Sequence, residues 1–397
     1  MAITIQSSPQ TLNTASNPCV FTFSSTNTGQ TNFSFLVELT VNGSIHSFHQ
    51  VFPESSNYGK FDCSEILKNI LTSDIIVDGT LATNYTSAIC TYKIRVKEKY
   101  GDPVAEVGSW VSSSTLRAIN GSLKHQDWIS YDYQDYDMIS TSGALFLTSF
   151  PRDEKYYCGL NESVFLGYLI SNGAATGVGV VLYDVTGSVI AQDLSNPVAS
   201  GQYLTVMDIS PQSIIDNTSI TSADFDTCYY YEFGANTGNI GEETETFRIY
   251  MDLDCTQYTT RRLHWLNKFG VWDSYTFNKY SEESGDVISS SYQTEKGNWN
   301  ASNAWVYNQY AGESKSFAKI STNKLLLNSD WIKEDKHNWL MESLLESPKV
   351  YLEISQGVFE PVIVSNQSWT KKRKIRHKLI QESIRVERTY KYTSQLA

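Results

Sequence analysis

The chain has 397 residues, enough at about 100–200 per domain for two or three domains whose cores need no disulfide or metal staples. Its 31 Lys and Arg against 43 Asp and Glu leave a net charge of −12, which excludes a chain whose whole surface grips nucleic acid and leaves only a local basic patch for that role. Charged residues are 19% and aromatics 13% of the chain, a mixture that favours strands and loops over helices.

Residues 1–9 have neither the basic n-region nor the apolar core of a signal peptide, so no Sec export is expected. The first segment reads as an antiparallel β-sandwich. Between residues 33 and 41 every odd position is apolar, which places one apolar face on a strand. Asn42-Gly43 follows, and that dipeptide predicts a type I′ turn and a hairpin returning through residues 45–52. Asp62-Cys63-Ser64-Glu65 resembles a capping box opening a short helix through Ile66, Leu67, Ile70 and Leu71. Cys90, Tyr92, Ile94 and Val96 alternate with Thr91, Lys93, Arg95 and Lys97, the pattern of a half-buried strand with a mostly charged outer face. The run Ser112-Ser113-Ser114 predicts the end of this domain near residue 118.

A second β-rich domain is predicted over 119–280, with strands at 165–170, 178–183 and 246–253 and turns at Ser171-Asn172-Gly173 and Thr186-Gly187. The uncharged stretch 163–183 is long enough to span a bilayer, but Ser171, Asn172 and repeated Gly make it two strands around a turn, so a soluble chain is expected. Residues 262–267 and 272–277 read as two strands joined by a Gly-containing turn.

The last segment, 281–397, is predicted as a small α+β unit. Its one long helix, at about 329–346, has Ser329 or Asp330 as cap, Glu334 and Asp335 near its positive end, and Pro348 after its last turn. Strands follow at 350–354, 359–364 and 384–392. The predicted fold class is thus mostly β: tandem antiparallel β-sandwich (Ig/FnIII-like) domains with a small C-terminal α+β unit.

No catalytic, cofactor or metal site emerges. His46 and His49 lie three apart on a predicted strand and face opposite sides, and Glu334 and His337 lack the second pair that a carboxylate-bridged site needs. The cysteines Cys19, Cys63, Cys90, Cys158, Cys228 and Cys255 have the spacing of buried side chains, without a CxxC pair. No GxSxG, Walker A, HExxH or EF-hand pattern occurs. The acidic run 127–137, interleaved with Trp and Tyr, reads either as a carbohydrate or calcium surface or as a solvated connection between domains. Lys371, Lys372, Arg373, Lys374, Arg376 and Lys378 form the basic cluster of an acidic chain, suited to a neighbouring subunit's acidic surface or to phosphate.

Three stretches together resemble a family of phage structural proteins. They are Ser8-Pro9-Gln10-Thr11-Leu12-Asn13 with Asn17-Pro18-Cys19-Val20-Phe21, the strand 33–41, Asn42-Gly43 and Phe61-Asp62; then Leu266-Asn267-Lys268-Phe269-Gly270-Val271-Trp272-Asp273-Ser274-Tyr275-Thr276-Phe277; then Asn338-Trp339-Leu340 with residues 344–351 and 361–364. They are similar to tail proteins of phages and prophages of Bacteroidetes, including the crAss-like podoviruses, whose recurring stretch is LNRFGGWDxxxF. Val271 stands where that pattern has glycine, which predicts a tighter or more strained turn. The resemblance implies a tail or neck component of the virion, assembled in the host cytoplasm: a cyclic homo-oligomer of about six- or twelve-fold order that extends the portal channel. Its implied partners are other copies, other tail, neck or portal proteins, and DNA only as transient cargo, with no membrane, no cofactor and no enzymatic activity. Expected interface residues are Lys371, Lys372, Arg373, Lys374, Arg376, Trp272, Tyr275 and Phe277. A receptor- or glycan-binding tail module is the alternative. A depolymerase would need a pair of carboxylates about 5–10 Å apart that the sequence does not provide.

Overall fold

The computed structural model describes residues 3–54, 57–75, 79–138, 143–170, 176–198, 204–236, 244–252, 257–307, 309, 312–366, 368–370 and 379–394. It is mostly β, with several antiparallel sheets, as the alternating patterns predict. The chain divides into two compact units. The first holds residues 1–253, 264–274 and 355–357; the second holds 254–263, 275–354 and 358–397.

The first unit opens with a two-sheet sandwich. One sheet has three strands, Ile3–Ser7, Val20–Ser25 and Tyr58–Asp62. The other runs Leu12–Thr14, Leu116–Ile119, Ile89–Tyr100, Ser34–Val41, Ser44–Val51, with Ala105–Ser112 also paired to Ile89–Tyr100. Phe21, Phe23, Phe35, Tyr92, Ile94 and Val96 fill the space between them, each phenylalanine removing apolar surface worth on the order of 1.5–3 kcal/mol. Asn42 and Gly43 both take positive φ (49° and 79°), so the predicted hairpin turn is present. Of the even positions of Ser34–Val41, Ser34, Glu38 and Thr40 are buried too, Glu38 being covered by Arg95, whose guanidinium donates to both of its oxygens at 2.8 and 2.5 Å.

The short helix is Ser64–Ile70, but the predicted capping box does not form. Cys63 is the N-cap, Asp62 Oδ1 accepts from the backbone N–H of Ser64 and of Cys19 (3.0 and 3.1 Å), and Glu65 is held by Lys68. The predicted domain end near 118 is not a unit boundary. Ala82–Asn84 joins Leu204–Asp208 and Phe165–Leu169 in one three-stranded sheet, so 1–118 and 119–253 share one compact unit. A five-stranded sheet completes it, in the order Tyr156–Cys158, Phe247–Met251, Tyr230–Asn236, Thr176–Tyr183, Val189–Val198. The turn at Thr186-Gly187 forms, its Asp184 carboxylate accepting from Thr186 and Ser188. The turn at Ser171-Asn172-Gly173 lies outside the described residues.

Strands Arg261–Leu266 and Trp272–Phe277 are neighbours in a seven-stranded sheet that continues through Val350–Ser355, Val358–Val364, Ser383–Thr393, Ser314–Asn328 and Ser281–Gln293. In the turn between the first two, Asn267 Oδ1 accepts from the backbone N–H of Phe269 (2.9 Å) and Val271 (3.3 Å). Gly270 takes φ +80°, and a Cβ there would overlap the Asn120 carbonyl. Val271 is not strained as predicted. Gly270 carries the left-handed conformation, and the Val271 side chain fits over Gly167, where a Cβ would lie 2.8 Å from it.

The long helix is shorter than predicted, Glu334–Leu345, and neither Ser329 nor Asp330 caps it. Ile332–Lys333 pairs instead as a strand with Leu379–Ile380, while Ser329 exchanges hydrogen bonds with the Glu382 backbone (2.8 and 2.9 Å). Those pairings satisfy backbone groups that an earlier helix start would leave to water.

Candidate interaction surfaces

Of the eight expected interface residues, Trp272, Tyr275 and Phe277 are core residues, 1%, 8% and 1% exposed. Trp272 donates its indole N–H to the Tyr85 hydroxyl (3.3 Å), and Tyr275 packs edge-on against Phe277 at 5.0 Å. A side chain already enclosed by its own chain has no surface left for a partner, so these three are corrected to structural roles. Lys371, Lys372, Arg373, Lys374 and Arg376 lie outside the described residues.

Asp273 explains the rest of this motif. Its buried carboxylate accepts from Thr148 Oγ1 (2.7 Å), Asn267 Nδ2 (2.9 Å), Ser149 Oγ (2.6 Å) and the Ser149 backbone N–H (3.3 Å). Both oxygens of a buried charge are thereby satisfied, and the strand is tied to the 148–149 loop.

The acidic run 127–137 forms the short helix His125–Ile129 and a 3₁₀ turn at Tyr133–Tyr136. Asp127, Tyr131, Asp132, Asp135, Tyr136 and Lys268 line a small cavity of about 130 Å³. The Lys268 ammonium sits 2.8 Å from Asp127, and Tyr136 packs on Phe269 at 5.0 Å, so the chain's own cation answers the carboxylate that a calcium ion would require. Asp132 is spent capping the 3₁₀ turn through the Gln134 N–H. Among the described residues, no group of three or more His, Cys, Asp or Glu is placed to hold a metal ion. His46 is exposed while the His49 ring lies 4.8 Å from Phe61, and His337 is buried against Glu382 (3.1 Å). No helix among the described residues is long and apolar enough to cross a membrane.

A long exposed hairpin among the described residues has no signature in the sequence. Ser281–Gln293 and Ser314–Asn328 form a long hairpin, with Ile288 opposite Ile320 and Tyr292 opposite Lys315. The flanking strand Ser383–Thr393 accompanies it to Ile320, opposite Thr393, and Ser394 still bonds the Lys319 backbone (2.9 and 3.2 Å). Beyond that point the described ribbon has two strands. Ser281–Gln293 is the outermost strand of its sheet, and its residues are exposed almost throughout. Val287 and Ile288 point to opposite faces, 61% and 70% exposed, and Tyr292 meets Phe317 edge-on at 6.1 Å, each a little under half exposed. An isolated two-stranded ribbon is marginal in water, and an open strand edge is what proteins otherwise cover.

A second surface is the outward face of the first sandwich. Lys93, Arg95, Lys97 and Lys99 alternate along Ile89–Tyr100, with Trp110 beneath Arg95 and Lys97 (5.2 and 5.7 Å). Glu38 and Glu106 answer two of the four cations. The sheet ends at Ser44–Val51, whose outer edge is unpaired among the described residues and whose Ile45 and Phe48 are more than half exposed.

No protein-family model matches the sequence, and no curated protein matches it. Among solved structures the chain is similar to a membrane-anchored protein from Corynebacterium diphtheriae (TM-score 0.21, 12% identity, 64% of this chain and 60% of that one). It is also similar to the full extracellular region of plexin A4 (TM-score 0.18, 9% identity, 63% of this chain and 21% of that one). The chain thus spans less than two thirds of either protein, and likenesses of this size carry no argument about its function.

Proposed function

We propose that this chain is a non-enzymatic structural subunit of a phage tail or neck, assembling with copies of itself into a ring that extends the portal channel. The observation that carries the reading is the two-stranded arm, Ser281–Gln293 with Ser314–Asn328, whose apolar residues and outer backbone edge are left in water. Burial against a neighbour would recover roughly 25 cal/mol for each Å² of that apolar surface and pair the open edge. The resemblance of the 266–277 stretch to phage tail proteins supports the same reading, with Asn267, Gly270 and Asp273 serving the fold rather than a reaction. One interface repeated by rotation closes a ring without leaving open surfaces, which suits a chain whose sticky features are unlike one another. In such a ring the net charge of −12 per copy keeps DNA sliding through the channel, since attraction to phosphates would add a barrier at each step. Copies of like charge then need a cationic contact, which the outward face at Lys93–Lys99 and the 371–378 cluster would supply. Negative-stain imaging of the purified protein tests the reading: closed rings support it, whereas projecting trimers or isolated monomers contradict it.

A further inference from the structure

We infer that the arm of one copy adds its outer strand, Ser281–Gln293, to the free edge at Ser44–Val51 of the next copy. This rests on the assembly reading and names the partner of its arm. Three observations carry it.

The first is that the two edges share an unusual chemistry. Residues 287–293 (Val-Ile-Ser-Ser-Ser-Tyr-Gln) and 44–51 (Ser-Ile-His-Ser-Phe-His-Gln-Val) contain no Lys, Arg, Asp, Glu, Pro or Gly. Natural edges are usually blunted by such residues. Two other outer strands show the blunting: Val189–Val198 carries Asp193, and Ala105–Ser112 carries Glu106 and Gly108; Ile3–Ser7, the outer strand of the three-stranded sheet, lacks such residues but is only five residues long. The two long edges of this kind, Ser281–Gln293 and Ser44–Val51, belong one to each compact unit, and a single head-to-tail contact covers both. Pairing the arm with another arm would leave Ser44–Val51 open.

The second is charge. The outer strand of the arm carries Glu282, Glu283 and Asp286 and no Lys or Arg; Lys324 pairs with Asp286, and Arg388 is shared between Glu283 and Glu360. The sheet that ends at Ser44–Val51 presents four outward cations against two carboxylates. Strand addition brings the acidic base of one copy beside the cationic face of the next, within the about 8–10 Å over which such charges act at ordinary ionic strength.

The third is area. From the exposed fractions of Val287, Ile288, Tyr292, Phe317 and Ile320 on the arm, and of Ile45, Phe48 and Phe52 at the edge, on the order of 900 Å² of apolar side chain is available; with the flanking backbone and polar groups, the contact reaches the roughly 1,200–2,000 Å² of a specific interface.

A complementation experiment by sedimentation velocity tests this. Ile288→Lys disables the arm and leaves the edge intact; Phe48→Lys does the reverse. Each variant alone should lose self-association at least about tenfold in Kd, with an unchanged melting temperature, and an equimolar mixture should form a one-to-one dimer and nothing larger, because one good arm and one good edge remain. Should either variant fail to fold, Ser291→Lys or His46→Glu replaces it. If Phe48→Lys alone still dimerises, the arms pair with each other and the inference falls. It also falls if both variants assemble like wild type or if wild type stays monomeric at about 100 µM. Rings that persist in both variants refute the strand pairing while leaving the ring reading standing; wild-type trimers refute the ring reading itself.

Discussion

Asp273 gives the sharpest stability test, because its four hydrogen bonds tie the 266–277 stretch to the 148–149 loop. Replacing it with alanine removes the acceptor for Thr148, Ser149 and Asn267 together, and the 4% exposure of the site gives water little access to replace it. A hydrogen bond to a charged group is worth about 1.5–3 kcal/mol net, and donors left buried cost about 1–3 kcal/mol each. The three are coupled through one carboxylate and do not add fully, so the expected loss is about 3–5 kcal/mol. Asp273→Asn keeps one acceptor oxygen but turns an amide N–H₂ toward donors, and should cost about half as much. Urea unfolding followed by tryptophan fluorescence checks both: at a slope of about 3 kcal/mol/M the alanine variant shifts the midpoint of its transition down by about 1–1.7 M. A loss below about 0.5 kcal/mol would refute the reading of Asp273 as a structural latch.

Gly270→Ala should cost more than Gly43→Val in the same assay. The first combines a left-handed φ with overlap against the Asn120 carbonyl, whereas the second meets open space and costs only the about 1–3 kcal/mol of backbone strain. Cys19, Cys63, Cys90, Cys158 and Cys228 are buried, and desolvation pushes the Cys90 and Cys228 thiols up to about 12. A thiol reagent at pH 8 should therefore label at most one cysteine per native chain, Cys255, and all six after unfolding; rapid labelling of two or more would contradict the burial. Reversing Lys372, Arg373 and Lys374 to glutamate should weaken assembly without lowering the melting temperature, and unchanged assembly would leave that cluster without a part in it.

The legible parts of the fold were those where local chemistry and tertiary burial agree. Asn42-Gly43 fixes its turn through backbone preference, and the alternation through Cys90, Tyr92, Ile94 and Val96 is the alternation of the observed strand. Helix starts failed where tertiary pairing competed: Ser329 has the chemistry of a cap, but its backbone and hydroxyl are taken by Glu382. Trp272, Tyr275 and Phe277 look like interface residues in the sequence because sequence alone does not separate an aromatic that waits for a partner from one already covered. The arm is silent in the sequence for the opposite reason. Ser281–Gln293 is exposed on both faces, so it has no period-two pattern to betray it, and its strand character comes from pairing with Ser314–Asn328.

The central claim is that the arm drives assembly, and shortening it is the direct test. Ser289 lies opposite Lys319, so replacing residues 290–318 by Asn-Gly closes the hairpin with a tight turn and leaves the sheet below it intact. Sedimentation velocity over a range of concentrations then compares the shortened chain with the full one. The account predicts that the full chain assembles while the shortened chain, with unchanged circular dichroism, remains a monomer throughout. Assembly of the shortened chain at the same concentrations as the full one would contradict it.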